Sequence, residues 1–138
     1  MKVTLHIVGT QAFDGEHDTV TQTVEAEKTV EEHRTRLHYI ERDEEGTVTK
    51  VTVTADDREV TVERQGAARS LLRMQRGTPC RCQYGTPYGT FEVTTNTHTL
   101  QNTLYEPQGT LTLAYTLTLG GQVMENTLCM TIERNEPQ

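Results

Sequence analysis

The feature that most constrains this sequence is a strict alternation of apolar and polar residues over TLTLAYTLTL, at positions 110–119. Leu111, Leu113 and Leu117 fall on one face of an extended chain, and the threonines fall on the other face. A period of two predicts a β-strand with one buried and one solvated face. Gly120 and Gly121 follow, before a second alternating run begins, so this pair predicts a β-hairpin with a primed turn.

The same rhythm recurs through the whole chain, and turn signals separate the alternating segments. Asp14 and Gly15 form an Asp-Gly turn signal after the first segment. The segments LLRMQR and TVEEHRTRL also have local helical spacing, so a short helix is the alternative there. We predict about ten strands, at residues 3–8, 18–30, 34–42, 47–55, 58–66, 68–77, 80–85, 90–104, 110–119 and 123–133.

The composition agrees with an all-β domain. Hydrophobic residues make up 33% of the chain, which is below the usual share, so the fold needs residues that suit a half-wet sheet. Threonine, the commonest residue here, is β-branched and half apolar and fits such a surface. A chain of 138 residues can bury one core, and no linker divides it, so we predict a single domain over residues 1–138.

Short sequential turns limit how these strands can pack. Strands with one apolar face must stack as two sheets or close on themselves. Hairpins without a long crossover favour closure, which also removes the exposed edges. The sequence therefore predicts an up-and-down antiparallel β-barrel of about 8–10 strands, whose interior is either filled with side chains or holds one small ligand.

Charge and hydropathy restrict the kinds of partner. The formal net charge is −7 and the basic residues are scattered, which argues against a nucleic-acid or anionic-membrane surface. No apolar stretch approaches the length of a membrane span, and MKVTLHIVGT at the start resembles a strand more than a signal peptide. We therefore expect a cytoplasmic protein that binds neither nucleic acid nor membrane. The sequence is compatible with a homodimer and does not indicate one.

The cysteines and histidines do not form a metal motif. Cys80, Cys82 and Cys129, taken with His98, lack the paired spacing of a zinc site, and their odd number does not suggest a disulfide framework. The sequence has no nucleophile elbow, phosphate-binding loop or dinucleotide fingerprint. We therefore expect no metal, no cofactor and no enzymatic activity. An enzyme or a haem-binding barrel would need an inward histidine, such as His98 or His6, although alternation directs His6 outward.

Charged residues that alternation directs inward indicate a candidate site. Glu41 continues the inward face of the strand that holds Tyr39, and Arg64 continues the inward face of its own strand. Buried charges are costly unless they are paired, so Glu41 and Arg64 should pair with each other or bind something. One interpretation joins them with Tyr39 and Tyr115 in a cavity for a small amphipathic or anionic molecule. The other places them at strand ends, in solvent or in a structural ion pair.

The repeated tripeptide in YGTPYGT, at positions 84–90, is a second candidate. One interpretation places Tyr84 and Tyr88 at the barrel mouth as ligand contacts. The other is a turn fixed by Pro87 with packed tyrosines around it. The hypothesised ligand-binding residues are therefore Tyr39, Glu41, Arg64, Tyr84, Tyr88 and Tyr115.

Four segments of this chain resemble a known family. They are HYIERDEEG, VTVERQGAARSLLRMQRG, TPYGTFEVTT and LTLAYTLTLGGQVMENTL. In their order and spacing they resemble the bacterial DUF1934 or YwiB-like family, over nearly the whole chain. The resemblance implies a calycin-like barrel, similar in fold to lipocalins and fatty-acid-binding proteins, with no established activity. The chain has no Trp for the Gly-x-Trp opening of lipocalins, and its last strands lack the Arg-x-Tyr motif of fatty-acid-binding proteins, so neither group's ligand carries over.

Two functions remain open at this point. The first is a binding module whose barrel holds a small amphipathic or apolar ligand among leucine, methionine and tyrosine side chains. The second is a filled barrel that acts as a structural or protein–protein interaction module without a ligand. A cavity of roughly a few hundred Å³ would favour the first function, and a solid core would exclude it.

Overall fold

The computed structural model describes residues 1–66, 68–86 and 88–134. Pro87, which we expected to fix a turn, lies outside these residues. Both segments with helical spacing are extended, so the helical alternative is wrong for each of them. The described residues form ten strands: β1 (Lys2–Phe13), β2 (Glu16–Glu31), β3 (Arg34–Arg42), β4 (Val48–Ala55), β5 (Glu59–Gln65), β6 (Arg69–Gln75), β7 (Cys80–Thr86), β8 (Gly89–Asn102), β9 (Thr110–Leu119) and β10 (Gln122–Arg134).

The strands form a closed antiparallel barrel. Each strand pairs with its neighbours in sequence, and β1 pairs with β10 to close the sheet. The closing ladder runs from Val3 opposite Arg134 to Ala12 opposite Glu125. The predicted up-and-down barrel is therefore confirmed. Within the described residues, no helix has the length and apolar character that a membrane span requires.

Primed turns connect the longest hairpins. Gly120 and Gly121 join β9 to β10 with φ angles of 55° and 85°, and Asp14 and Gly15 join β1 to β2 with φ angles of 51° and 80°. A type I′ turn needs positive φ at both central residues, and its twist matches the right-handed twist of the strands that flank it. Both hairpins were predicted from these residue pairs.

One register shift interrupts β8, between Thr97 and Thr99. Strict alternation from the buried Val93 would direct Leu100 outward, yet Leu100 is buried. The extra residue at His98 forms a β-bulge, which returns Leu100 to the interior and leaves His98 exposed.

The strand predicted over residues 90–104 is too long at its end. β8 ends at Asn102, and beyond it the Thr110 amide donates to the Thr103 hydroxyl at 2.9 Å instead of to a backbone carbonyl. The connection between β8 and β9, residues 103–109, therefore folds back as a loop. Leu104 belongs to this loop and is fully buried.

This loop helps to close one end of the barrel. Side chains with almost no exposed surface fill the interior beneath it, and these include Leu5, Leu37, Leu111 and Leu113. Lys28 reaches the loop from β2, and its Nζ donates to the Glu106 carbonyl at 2.6 Å. Burial lowers the pKa of Lys28 because the charged ammonium is partly removed from water. The end that holds the β2–β3, β4–β5, β6–β7 and β8–β9 connections is therefore solid.

The barrel wall is incomplete between β2 and β3. These strands pair only where residues 27–31 lie opposite residues 34–38. Among the described residues, positions 16–26 of β2 pair with β1 alone, so one edge of β2 carries no ladder there.

A second weak seam lies between β6 and β7, where Leu71 opposite Gln83 is the one residue pair given by their register. Side chains replace part of the missing ladder. The Arg73 amide donates to Cys82 Sγ at 3.2 Å, and the Thr95 hydroxyl donates to the Arg73 carbonyl at 2.5 Å. Cys82 is thus a buried free thiol with a structural contact.

Candidate functional site

The other end of the barrel is hollow. A cavity of about 910 Å³ opens among the β1–β2, β3–β4, β5–β6, β7–β8 and β9–β10 connections. Buried apolar residues such as Ile7, Leu72 and Met130 line its inner part. Inward positions nearer the opening carry small or polar residues, including Gly9 and Ser70, which leave the lumen unfilled. The volume lies within the usual range of small-molecule sites, so the interior is solid at one end and open at the other.

Arg64, on the wall of this cavity, forms an ion pair with Glu41. Arg64 Nε donates to Glu41 Oε1 at 3.2 Å, and Gln22 Nε2 donates to Glu41 Oε2 at 3.2 Å. Burial alone lowers the pKa of Arg64, but the Glu41 carboxylate and the neighbouring phenols raise it above its usual value. The Arg64 side chain lines the cavity and keeps 38% of its surface exposed, whereas Glu41, 24% exposed, lines the split between β2 and β3. Of the outcomes that the sequence left open, the structure shows the ion pair between Glu41 and Arg64, with Arg64 lining the cavity.

Two tyrosines flank the ion pair from different walls of the barrel. Tyr39 on β3 is buried, and Tyr115 on β9 is half-buried. Burial raises the pKa of Tyr39 to about 12, with a smaller opposing effect of Arg64 and a smaller reinforcing effect of Glu41. Burial also raises the pKa of Tyr115, against the attraction of Arg64. Both phenols therefore remain protonated at neutral pH and can donate hydrogen bonds.

We expect Tyr39 to ionise late in an alkaline titration of the folded protein. Its folded pKa of about 12 exceeds the ordinary value of 10.0, so its contribution to stability is present below pH 10 and is lost as the pH rises towards 12. Phenolate absorbance of wild type and Tyr39→Phe, followed through this range, measures the effect. The variant should lack one late step. An unchanged late step in Tyr39→Phe would contradict the assignment.

The structure brings together five of the six residues that the sequence proposed. Tyr84 lines the cavity near its opening, and its proximity adds to the raised pKa of Tyr115. Tyr88 lies apart from this group, at the turn between β7 and β8, with 94% of its surface exposed. The turn carries Tyr88 beyond the strand ends, so we do not include it in the site.

Polar residues on other strands also line the cavity, and the sequence-based site did not include them. Asn126 Oδ1 accepts from Gln11 Nε2 at 3.2 Å, and Asn126 Nδ2 donates to the Met124 carbonyl at 3.2 Å. Ser70 lies opposite Arg64 in the β5–β6 register. The sequence did contain a signal for both residues. Asn126 follows Met124 by two positions and Ser70 precedes Leu72 by two, so each shares the inward face of its strand.

A smaller cavity of about 520 Å³ lies in the split between β2 and β3. Gln22, Asp43 and Thr49 line both cavities, so the split adjoins the main cavity at these residues. The hydrogen bond from Gln22 to Glu41 spans the split where the backbone ladder is missing.

The candidate metal and haem ligands are dispersed. His6 lies on the outer face, where its ring contacts Thr23 Oγ1 at 3.1 Å and Glu133 Oε2 at 2.8 Å. His98 is exposed at the bulge, so neither histidine points into the barrel. Over residues 1–66, 68–86 and 88–134, no cluster of three or more His, Cys, Asp or Glu side chains could hold a metal ion.

Comparisons with known proteins agree on the family and the fold. The model of the family described as domain of unknown function, DUF1934, matches residues 5–132. The uncharacterized beta-barrel protein YwiB of Bacillus subtilis (strain 168) is 28% identical over 120 residues, which cover 87% of this chain and 84% of that protein. The crystal structure of ywiB protein from Bacillus subtilis superposes with a TM-score of 0.85 at 25% identity, over 98% of this chain and 92% of that chain.

Proposed function

We propose, from the premise that this chain belongs to the DUF1934 family, that it binds a small, partly apolar ligand in the open end of its barrel. The observation that carries the proposal is the cavity of about 910 Å³, which opens to solvent and ends on an apolar floor. Binding sites for small molecules are concave and mostly apolar, with a few placed polar groups. This cavity is concave, ends on apolar side chains and carries polar groups such as Arg64 nearer its opening.

The distribution of side chains favours an amphipathic ligand. Leu117, Leu119 and Leu128 present apolar surface on the β9–β10 wall. Arg64 and Tyr39 present polar groups on the β3–β5 side. A ligand with one apolar and one polar part can contact both walls at once, whereas a wholly polar ligand would leave the apolar wall in contact with water.

The alternative function, an interaction module, is supported by the unpaired edge of β2. Residues 16–26 present backbone groups to which a further strand could pair. Strand pairing at this edge would use the barrel wall, whereas ligand binding uses the lumen, so the two functions are compatible. The expectations of a cytoplasmic, non-enzymatic protein without metal or cofactor, and of a calycin-like relationship, remain predictions.

A pair of matched substitutions tests ligand binding. Gly9 faces the lumen, and the nearest atom to an added Cβ would be Thr127 O at 3.9 Å, so Gly9→Leu should place its side chain in the cavity without a backbone clash. Val8 is the outward neighbour, and Val8→Leu is the control. The neutral fluorescent probe N-phenyl-1-naphthylamine should bind wild type and Val8→Leu alike, and Gly9→Leu at least about 10-fold more weakly, a loss of about 1.4 kcal/mol.

Native mass spectrometry of the same three proteins, isolated from the producing cells, reports bound small molecules and oligomeric state together. A bound small molecule on wild type and Val8→Leu, lost from Gly9→Leu, supports the proposal. Equal probe binding by Gly9→Leu, or no binding by wild type, would overturn it.

A further inference from the structure

Several hydrogen-bond donors in the cavity have no partner among the described residues. Arg64 uses Nε for Glu41, and its two terminal nitrogens make no hydrogen bond with any described residue. The phenols of Tyr39 and Tyr115 and the hydroxyl of Ser70 likewise have no hydrogen-bond partner in the described part of the chain. These four side chains line the same cavity.

Two of the acceptors that line or adjoin the cavity, those of Glu41 and Asn126, are already engaged. Both carboxylate oxygens of Glu41 accept hydrogen bonds, from Arg64 and from Gln22. The side-chain oxygen of Asn126 accepts from Gln11. An unpaired donor that loses its water to an incoming ligand costs free energy unless the ligand supplies an acceptor.

The positions of the donors fit one head group. Arg64 on β5 and Tyr115 on β9 lie on opposite walls, and the Arg64 charge acts on both Tyr39 and Tyr115. All three residues line the same cavity, so one head group in the lumen faces donors from more than one wall. A guanidinium offers two parallel N–H groups, which match the two oxygens of a carboxylate or phosphate.

The charged side chains around the cavity are compatible with an anionic head group beside Arg64. The positive charge of Arg64 is paired with Glu41, and Gln22 further satisfies that carboxylate. The head group can contact the terminal nitrogens, which Glu41 does not occupy. Asp18 and Asp43 line the cavity towards the connections at its opening. They would repel a negative charge held at the mouth and so favour the position beside Arg64.

We infer that the ligand is an amphipathic acid, whose anionic carboxylate or phosphate binds the terminal nitrogens of Arg64 and the phenols of Tyr39 and Tyr115 while its apolar part lies against β9 and β10. This inference rests on the proposed function and specifies its ligand class. Tyr39 and Tyr115 supply neutral donors, and the unoccupied terminal nitrogens of Arg64 supply the parallel N–H groups that favour an oxyanion over an alcohol or an amine.

Four probes with the same decyl chain separate the head groups. Decanoate, decyl phosphate, 1-decanol and decylammonium are used to displace N-phenyl-1-naphthylamine from the full-length protein. Decanoate or decyl phosphate should bind at least about 10-fold more tightly than 1-decanol, as expected for charge-assisted hydrogen bonds, and decylammonium should bind most weakly. The acid that binds more tightly shows whether the preferred head group is a carboxylate or a phosphate.

Variants at Arg64 assign the selectivity to that residue. In Arg64→Gln the acids should bind no more tightly than 1-decanol binds to the same variant. Arg81→Gln removes an equal charge from the exposed face of β7 and should leave all four affinities unchanged. Since Arg64→Gln leaves Glu41 unpaired, the double variant Glu41→Gln with Arg64→Gln provides a second test without an uncompensated charge, and it should also lose the preference for acids.

The outcomes distinguish the two proposals. Equal binding of all four probes to wild type would overturn the acid inference and leave the binding function intact. A preference for acids that persists in both Arg64 variants would also overturn the inference. Failure of every probe, including N-phenyl-1-naphthylamine, to bind wild type would overturn the proposed function itself.

Discussion

Gly109→Ala should destabilise the protein by about 3 kcal/mol or more, as expected where added volume meets backbone that cannot move away. Gly109 is buried in the loop that covers the solid end of the barrel, and an added Cβ would overlap the carbonyl oxygen of Thr103 and crowd Leu104 Cα. Its carbonyl also accepts from the Ile132 amide at 2.9 Å, which connects the loop to β10. The clash therefore strains both the loop and its attachment.

Gly9→Ala is the matched control for this substitution. Gly9 also faces the barrel interior, but an added Cβ would lie 3.9 Å from the nearest atom. Its free energy of unfolding should stay within about 0.5 kcal/mol of wild type. Urea unfolding followed by circular dichroism measures both variants. If Gly109→Ala is as stable as Gly9→Ala, the loop does not hold the position described here.

Leu113→Ala should cost about 3–5 kcal/mol, whereas Leu117→Ala should cost about 1–2 kcal/mol. Both residues lie on β9 with the same inward orientation, and they are 0% and 6% exposed. Leu113 lies in the solid end, where truncation leaves a new void. Leu117 lines the existing cavity, so its truncation enlarges a space that is already open to solvent. The loss at Leu117 is therefore mainly that of apolar burial.

The difference between the two losses in the free energy of unfolding tests whether the interior is solid around Leu113 and hollow around Leu117. Urea unfolding at equal slopes for both variants gives the comparison directly. Equal losses at Leu113 and Leu117 would indicate that the open end is packed as densely as the closed end. That result would contradict the division between a solid and a hollow half.

The closed barrel could be predicted from sequence because its signals are local. The alternation in β9 and the glycine pair at Gly120 and Gly121 each specify a strand or a turn without reference to the rest of the chain. The bulge at His98 could not be predicted, because an extra residue in one strand shows only when its partner strand is present. The loop that buries Leu104 depends in the same way on contacts distant in sequence.

The candidate site was predicted in part for a similar reason. Period two correctly directed Glu41 and Arg64 inward, but it could not specify that their side chains meet. Lys28 is also buried, with a hydrogen bond to the Glu106 carbonyl, and the sequence-based site did not include it. The hollow end follows from the small side chains at Gly9 and Ser70, whose effect on volume depends on what lies across the lumen. Alternation gives the direction of a side chain and not the space around it.

The most direct test of the central claim is to locate a bound probe inside the barrel. Methyl NMR of the protein with N-phenyl-1-naphthylamine, a neutral probe, does not depend on the class of head group. Nuclear Overhauser contacts should connect the probe to methyl groups of Leu117 and Leu128, which line the cavity, and not to those of Leu5 or Leu113 in the solid end. Contacts confined to outward-facing methyl groups, such as those of Val8 and Val123, would contradict the account.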